Sequence, residues 1–164
     1  MDDKKASARR AAIEANSRVW ALLETAGRST AETAEMIAAA HASHEHWKVA
    51  GGPLEDQRAH WLIARAYVDA GLAGPALHYA RRTLALAEAH RALLSDFDLA
   101  FTEEVAARAW AAAGHADIAR KHYERAKALG DSIANAGDRQ EFFRQFALPP
   151  RFGLDNTLES GFLV

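Results

Sequence analysis

The chain has no cysteine. Disulfide frameworks, thiolate nucleophiles and cysteine-ligated metal clusters are thereby excluded. Only four prolines occur, and each lies outside the strong helical patterns or at their edges. No alternating run of Val, Ile and Thr marks a strand. No stretch of about 18 apolar residues could span a bilayer, and the start, Met1-Asp2-Asp3-Lys4-Lys5, has no apolar signal core. Neither charge dominates. Against 22 acidic side chains stand 20 basic ones, a formal charge of −2. Bulk nucleic-acid binding needs a basic field that this balance does not supply. These absences predict a cytoplasmic protein with neither a nucleic-acid nor a membrane partner.

What is abundant is alanine, about a quarter of the 164 residues. Alanine is the strongest helix former and lets helices approach closely. The length suits one domain with a sizeable core. Three glycines, Gly27, Gly71 and Gly114, follow one another at 44 and 43 residues, each between two segments of helical periodicity. A fixed period of this size marks stacked helical hairpins, because one hairpin cannot bury its own apolar face. The predicted fold is all-α, with about seven helices. Hairpins are expected over about 5–50, 55–93 and 96–134, a capping helix over 138–148 and an extended tail over 149–164. Ser29 with Glu32 fits a capping box, and Gly51-Gly52-Pro53 and Pro149-Pro150 break the chain. Gly130 reads as an irregularity within the sixth helix.

Aligned on the turn glycines, Gly71-Leu72-Ala73-Gly74-Pro75-Ala76 matches Gly114-His115-Ala116-Asp117-Ile118-Ala119. Tyr67 matches Trp110, Ala64 matches Ala107, Ala80 matches Tyr123 and Thr83 matches Ala126. The unit around Gly27 is weaker. This pattern resembles the tetratricopeptide repeat, with a period longer than the usual length of about 34. The resemblance implies a right-handed superhelix whose first helix in each pair lines a concave groove. On helix 3 that stripe is Arg58, Trp61, Arg65 and Asp69. On helix 5 it is Phe101, Glu104, Arg108 and Ala112, and on helix 1 it is Glu14, Ser17, Ala21 and Thr25. Arginine forks suit carboxylates, and tryptophan is a flat binding anchor. The leading expectation is a scaffold or adaptor, not an enzyme. It would hold a peptide or protein segment, with an acidic terminus anchored by Arg58, Trp61, Arg65, Glu104 and Arg108. The plainer alternative for the same residues is an inter-helix ion-pair network, Arg65 with Glu104, and Trp61 in core packing.

Eight histidines raise a second function class. His41, His44 and His46 crowd the end of helix 2, and His41 forms chelate-spaced pairs with His44 and Glu45. His46 lies about 140° from His41 around an ideal helix, and Lys48 stands where the H-E-x-x-H zinc motif needs histidine. No metal and no cofactor is therefore assigned. The segments His41 to Trp47, Arg58 to Trp61, Pro75 to Arg81 and Asp96 to Phe101 resemble those of a group of uncharacterised bacterial helical-repeat proteins. That resemblance implies a fold and no activity. It directs attention to His41, His46, His78 and Arg81 as the lining of a polar pocket, the mark of a small-molecule or metal-binding sensor or an enzyme. The apolar residues of the tail predict docking on the last helices, or in a groove of a second copy, which would make a homo-oligomer.

Overall fold

The computed structural model describes residues 2–154. Seven helices account for most of them, and no strand occurs among the described residues. They are α1 (Asp3–Leu23), α2 (Thr30–Ala50), α3 (Pro53–Asp69), α4 (Ala73–Ala89), α5 (Asp96–Ala112), α6 (Ala116–Asp131) and α7 (Ala136–Phe146). Antiparallel pairs α1–α2, α3–α4 and α5–α6 form three hairpins that stack in chain order. In the stack α1, α3 and α5 lie side by side, and α7 packs on α5 and α6.

Local chemistry sets the ends of these helices. Ser29 caps α2 and exchanges hydrogen bonds with Glu32, as the capping-box spacing predicts. Ser95 does the same for α5 with Asp98. After α3 the backbone turns left-handed at Gly71, with φ of 72°. Leu72 N–H reaches back to the Tyr67 carbonyl and Gly71 N–H to that of Val68, each at 3.0 Å. After α5 the arrangement repeats at Gly114: His115 N–H binds the Trp110 carbonyl at 2.9 Å and Gly114 N–H that of Ala111 at 3.0 Å. This is the Schellman closure, which needs a residue free to take positive φ. The first hairpin differs. Helix α1 is capped at Glu24, three residues before Gly27. The Arg28 guanidinium, bound to the Leu22 and Leu23 carbonyls, satisfies its C-terminal end.

Two helices end earlier than the sequence pattern suggests. Helix α4 stops at Ala89, and Arg91–Leu93 form a separate 3-10 turn. Helix α6 stops at Asp131. Gly130 is not a break in it. A β-carbon there would collide with the ring of Phe142 on α7, so glycine marks the closest approach of the two helices.

Most matched positions within the helices face inward, while the aromatic pair Tyr67 and Trp110 is half-buried and the turn positions are largely exposed. Ala64, Ala107, Ala76, Ala119, Ala80, Tyr123, Thr83 and Ala126 are buried. Small side chains here bring helix backbones close and leave few voids. The core comprises three clusters. Val19, Leu22, Met36, Leu62 and Ile63 join the first two hairpins. Val68, Ala80, Val105 and Ala109 join the second and third. Tyr123, Ile133, Phe142 and Phe146 seat α7. Trp61 packs against all three.

Candidate functional site

The stripes expected to line an open groove divide in two. Arg65, Glu104 and Arg108 are buried, at 3%, 1% and 2% exposure. Arg65 pairs with Asp69 at 3.0 Å and with Glu104 at 3.4 Å, and Arg108 completes the chain by donating to Glu104. This is an internal network of two cations and two anions, so the expectation that these three residues face an incoming peptide is corrected. The cause is α7. Arg108 also donates to the backbone carbonyls of Gln145, Leu148 and Pro150, at 2.9, 2.8 and 2.7 Å. A cation at that point offsets the unpaired carbonyls and the negative end of the α7 dipole. Arg144 of α7 reaches α1 at Glu24, 3.2 Å away. Helix α7 and the turn after it therefore cover the middle of the face built by α1, α3 and α5.

Among the described residues, two sizeable cavities flank α7, one on each side. The larger, of about 560 Å³, lies by the end of α1 and includes Arg28, Arg65, Asp69 and Arg144. Its arginines are all engaged: Arg28 on carbonyls, Arg65 on carboxylates, Arg144 on Glu24 and Glu141. Arg28 has no carboxylate partner among the described residues, and its buried Nε has no hydrogen-bond partner there.

The other cavity, of about 340 Å³, is an aromatic box. Trp20 and Trp61 stack with centroids 5.6 Å apart. Phe101 meets Trp61 edge-on at 5.3 Å, and Phe97 meets Phe101 at 4.8 Å. The Trp61 indole N–H donates to the Phe101 carbonyl at 2.9 Å, which fixes the ring across α3 and α5. The rim is polar. Arg58 is half-exposed and binds Asp98 through two parallel bonds of 2.8 and 3.1 Å. Burial disfavours the Asp98 charge, yet Arg58 and Ser95 outweigh that cost and hold its carboxyl below the ordinary value. Glu141 enters from α7, held by Arg144 at 2.8 Å. Asn16 lines the cavity from α1. No hydrogen bond to its side-chain amide occurs among the described residues, so a donor and an acceptor face the space. Sequence reasoning found Arg58 and Trp61 here and missed Trp20, Phe97 and Asn16. The signal for Asn16 was its interruption of the apolar face of α1.

The histidines separate. His41 pairs with the Tyr67 hydroxyl at 3.0 Å and lies edge-on to Tyr79. Burial lowers its pKa. His78 and Arg81 line a separate surface depression with Arg82, and Arg81 sits over the Trp110 ring. Among the described residues no hydrogen bond or ring contact joins His46 to His41, His78 or Arg81. The single pocket expected from these four residues does not form. The structure brings together a different set: His44 of α2 with Asp56 and His60 of α3.

The tail begins in cis. Leu154 is buried with Tyr123 and Phe146, and Arg151 donates to the Tyr123 hydroxyl at 2.8 Å. The apolar stretch Gly161 to Val164 lies outside the described residues. No helix among the described residues is long and apolar enough to cross a membrane. Comparison with family models, with curated proteins and with solved structures gives no match to this chain.

Proposed function

We propose that the chain is a peptide-binding module of the tetratricopeptide type, in which the aromatic box holds one bulky apolar side chain of a partner segment. The observation that carries this reading is the pairing of that box with the free Asn16 amide at its edge. The box gives a partner side chain four aromatic rings to pack on, and Asn16 gives its backbone one donor and one acceptor. A cavity of about 340 Å³ accommodates one side chain rather than a large cofactor.

The chain's own α7 supports the choice of occupant. Phe142 and Phe146 pack over the same layer as Phe101, and Phe142 meets the Phe101 ring at 5.0 Å. The covered part of this face thus already takes aromatic side chains from a helix. The open part presents similar chemistry. Arg58 and Asp98 neutralise each other at the rim, and Glu141 is matched by Arg144. Recognition is then by shape and backbone pairing, not by anchoring an acidic terminus.

Selection of random displayed peptides against the untagged protein tests the reading. The expected outcome is a consensus with one invariant aromatic or large aliphatic position, lost against Trp20→Ala and Asn16→Ala. Both variants lie at the cavity edge and should keep their helical spectrum. Selection of a common acidic motif without an apolar anchor, or equal recovery on both variants, contradicts it.

A further inference from the structure

We propose that His44, Asp56 and His60 form a binding site for one divalent transition-metal cation of the zinc class. Asp56 and His60 stand at i and i+4 on α3, so both side chains leave the same face of one helix. His44 meets them from α2, across the break at Gly51-Gly52. The three donor atoms lie within 4.8 Å of one another. Asp56 Oδ1 is 2.9 Å from His44 Nε2 and 3.3 Å from His60 Nδ1. Tetrahedral zinc with bonds of about 2.0–2.1 Å sets its ligands roughly 3.3 Å apart. The carboxylate therefore already stands near one tetrahedral edge from each imidazole. The two rings are 4.4 Å apart by centroid, and a modest closing motion completes the triangle.

The surroundings suit a ligand set of two nitrogens and one oxygen. His60 is 7% exposed, His44 12% and Asp56 39%, by side chain. The site is thus walled on the histidine side and opens to water beside the carboxylate. Three protein ligands with an outward position leave room for a water or an external group as the fourth ligand. His60 Nδ1 also lies 2.8 Å from the Asp56 carbonyl, a contact that ligation would replace. The positive charge of Arg82 acts on His60 and opposes a cation. The imidazole donors favour zinc, cobalt, nickel or copper over magnesium or calcium, which take oxygen ligands. Tyr79, tilted over His60 with centroids 6.1 Å apart, forms the α4 wall.

The experiment uses untagged full-length protein, stripped with chelator and dialysed. Zn²⁺ is titrated by calorimetry and Co²⁺ by visible absorption. The account expects one ion per chain and cobalt bands of a four- or five-coordinate nitrogen–oxygen site. Affinity should fall at least about tenfold in His44→Ala and in Asp56→Asn and stay unchanged in His46→Ala. Each variant's helical spectrum is recorded first. The two test substitutions avoid His60, the most buried of the three. The proposal is overturned if no saturable one-to-one binding is found. It is equally overturned if folded His44→Ala and Asp56→Asn bind as tightly as the parent, or if His46→Ala loses binding as they do.

Discussion

The Arg108 guanidinium on α5 donates to the Gln145 carbonyl on α7 at 2.9 Å, while its Nε holds Glu104. One buried side chain thus ties the capping helix to the ion network of the second and third hairpins. Replacing it leaves buried Glu104 with only the longer 3.4 Å contact to Arg65, which Asp69 shares, and several carbonyls without a donor. Arg108→Ala should cost about 3–5 kcal/mol in urea unfolding, the range for breaking a buried charge pair. Arg108→Lys should recover little, because one ammonium cannot span the fork. A loss below about 1 kcal/mol would place the network's weight elsewhere.

Gly130 separates helix propensity from packing. Alanine is the better helix former by about 1 kcal/mol. At this position its methyl meets the fully buried Phe142 ring, which has no room to withdraw. Gly130→Ala should therefore destabilise, by about 1–3 kcal/mol as overpacked cores do. A raised melting temperature would mean that α7 does not sit this close to α6.

Asp98 supplies a pH test with a defined sign. Its carboxyl is held below its ordinary value of 3.8 in the folded chain. A lowered folded pKa contributes stability that is fully present above the unfolded pKa. That stability is lost as the pH falls through the folded one. Asp98→Asn should lower the melting temperature at neutral pH, and its gap from the parent should close between about pH 5 and pH 2. A gap independent of pH would show that the Arg58 pair and the α5 cap do not depend on the charge.

Trp61 and Trp20 stack, but only Trp61 packs on every core cluster. Trp61→Ala should cost about 3–5 kcal/mol, the scale for truncating a core aromatic. Trp20→Ala should cost clearly less in the same denaturant titration. Equal losses would contradict this division between structural ring and pocket wall.

Residues legible in the sequence were those whose role is local. Gly71 and Gly114 announce the turns because positive φ is a property of one residue, and Ser29 with Glu32 announces a cap for the same reason. Gly27 has the right spacing but stands three residues past its helix cap, a displacement that periodicity does not reveal. The polar stripe Arg65–Glu104–Arg108 was visible, but not the helix that covers it. Phe142, Phe143 and Phe146 signal that α7 must bury a face, and only tertiary packing decides against what. Likewise His44 was read with its neighbours on α2. Its partners Asp56 and His60 carry a chelate spacing of their own, yet proximity across a hairpin break is a property of the fold.

The central claim is that a peptide side chain enters the cavity walled by Trp20, Trp61, Phe97 and Phe101. The chain's four tryptophans give four indole N–H signals in a nitrogen-labelled sample. Trp47 lies under Arg9 and Trp110 under Arg81, both away from the cavity. Titration with a short neutral peptide bearing one central tryptophan should shift the Trp20 and Trp61 signals to saturation and leave the other two in place, with no effect from the alanine-substituted peptide. Shifts spread evenly over all four signals, or none at Trp20 and Trp61, would contradict the account.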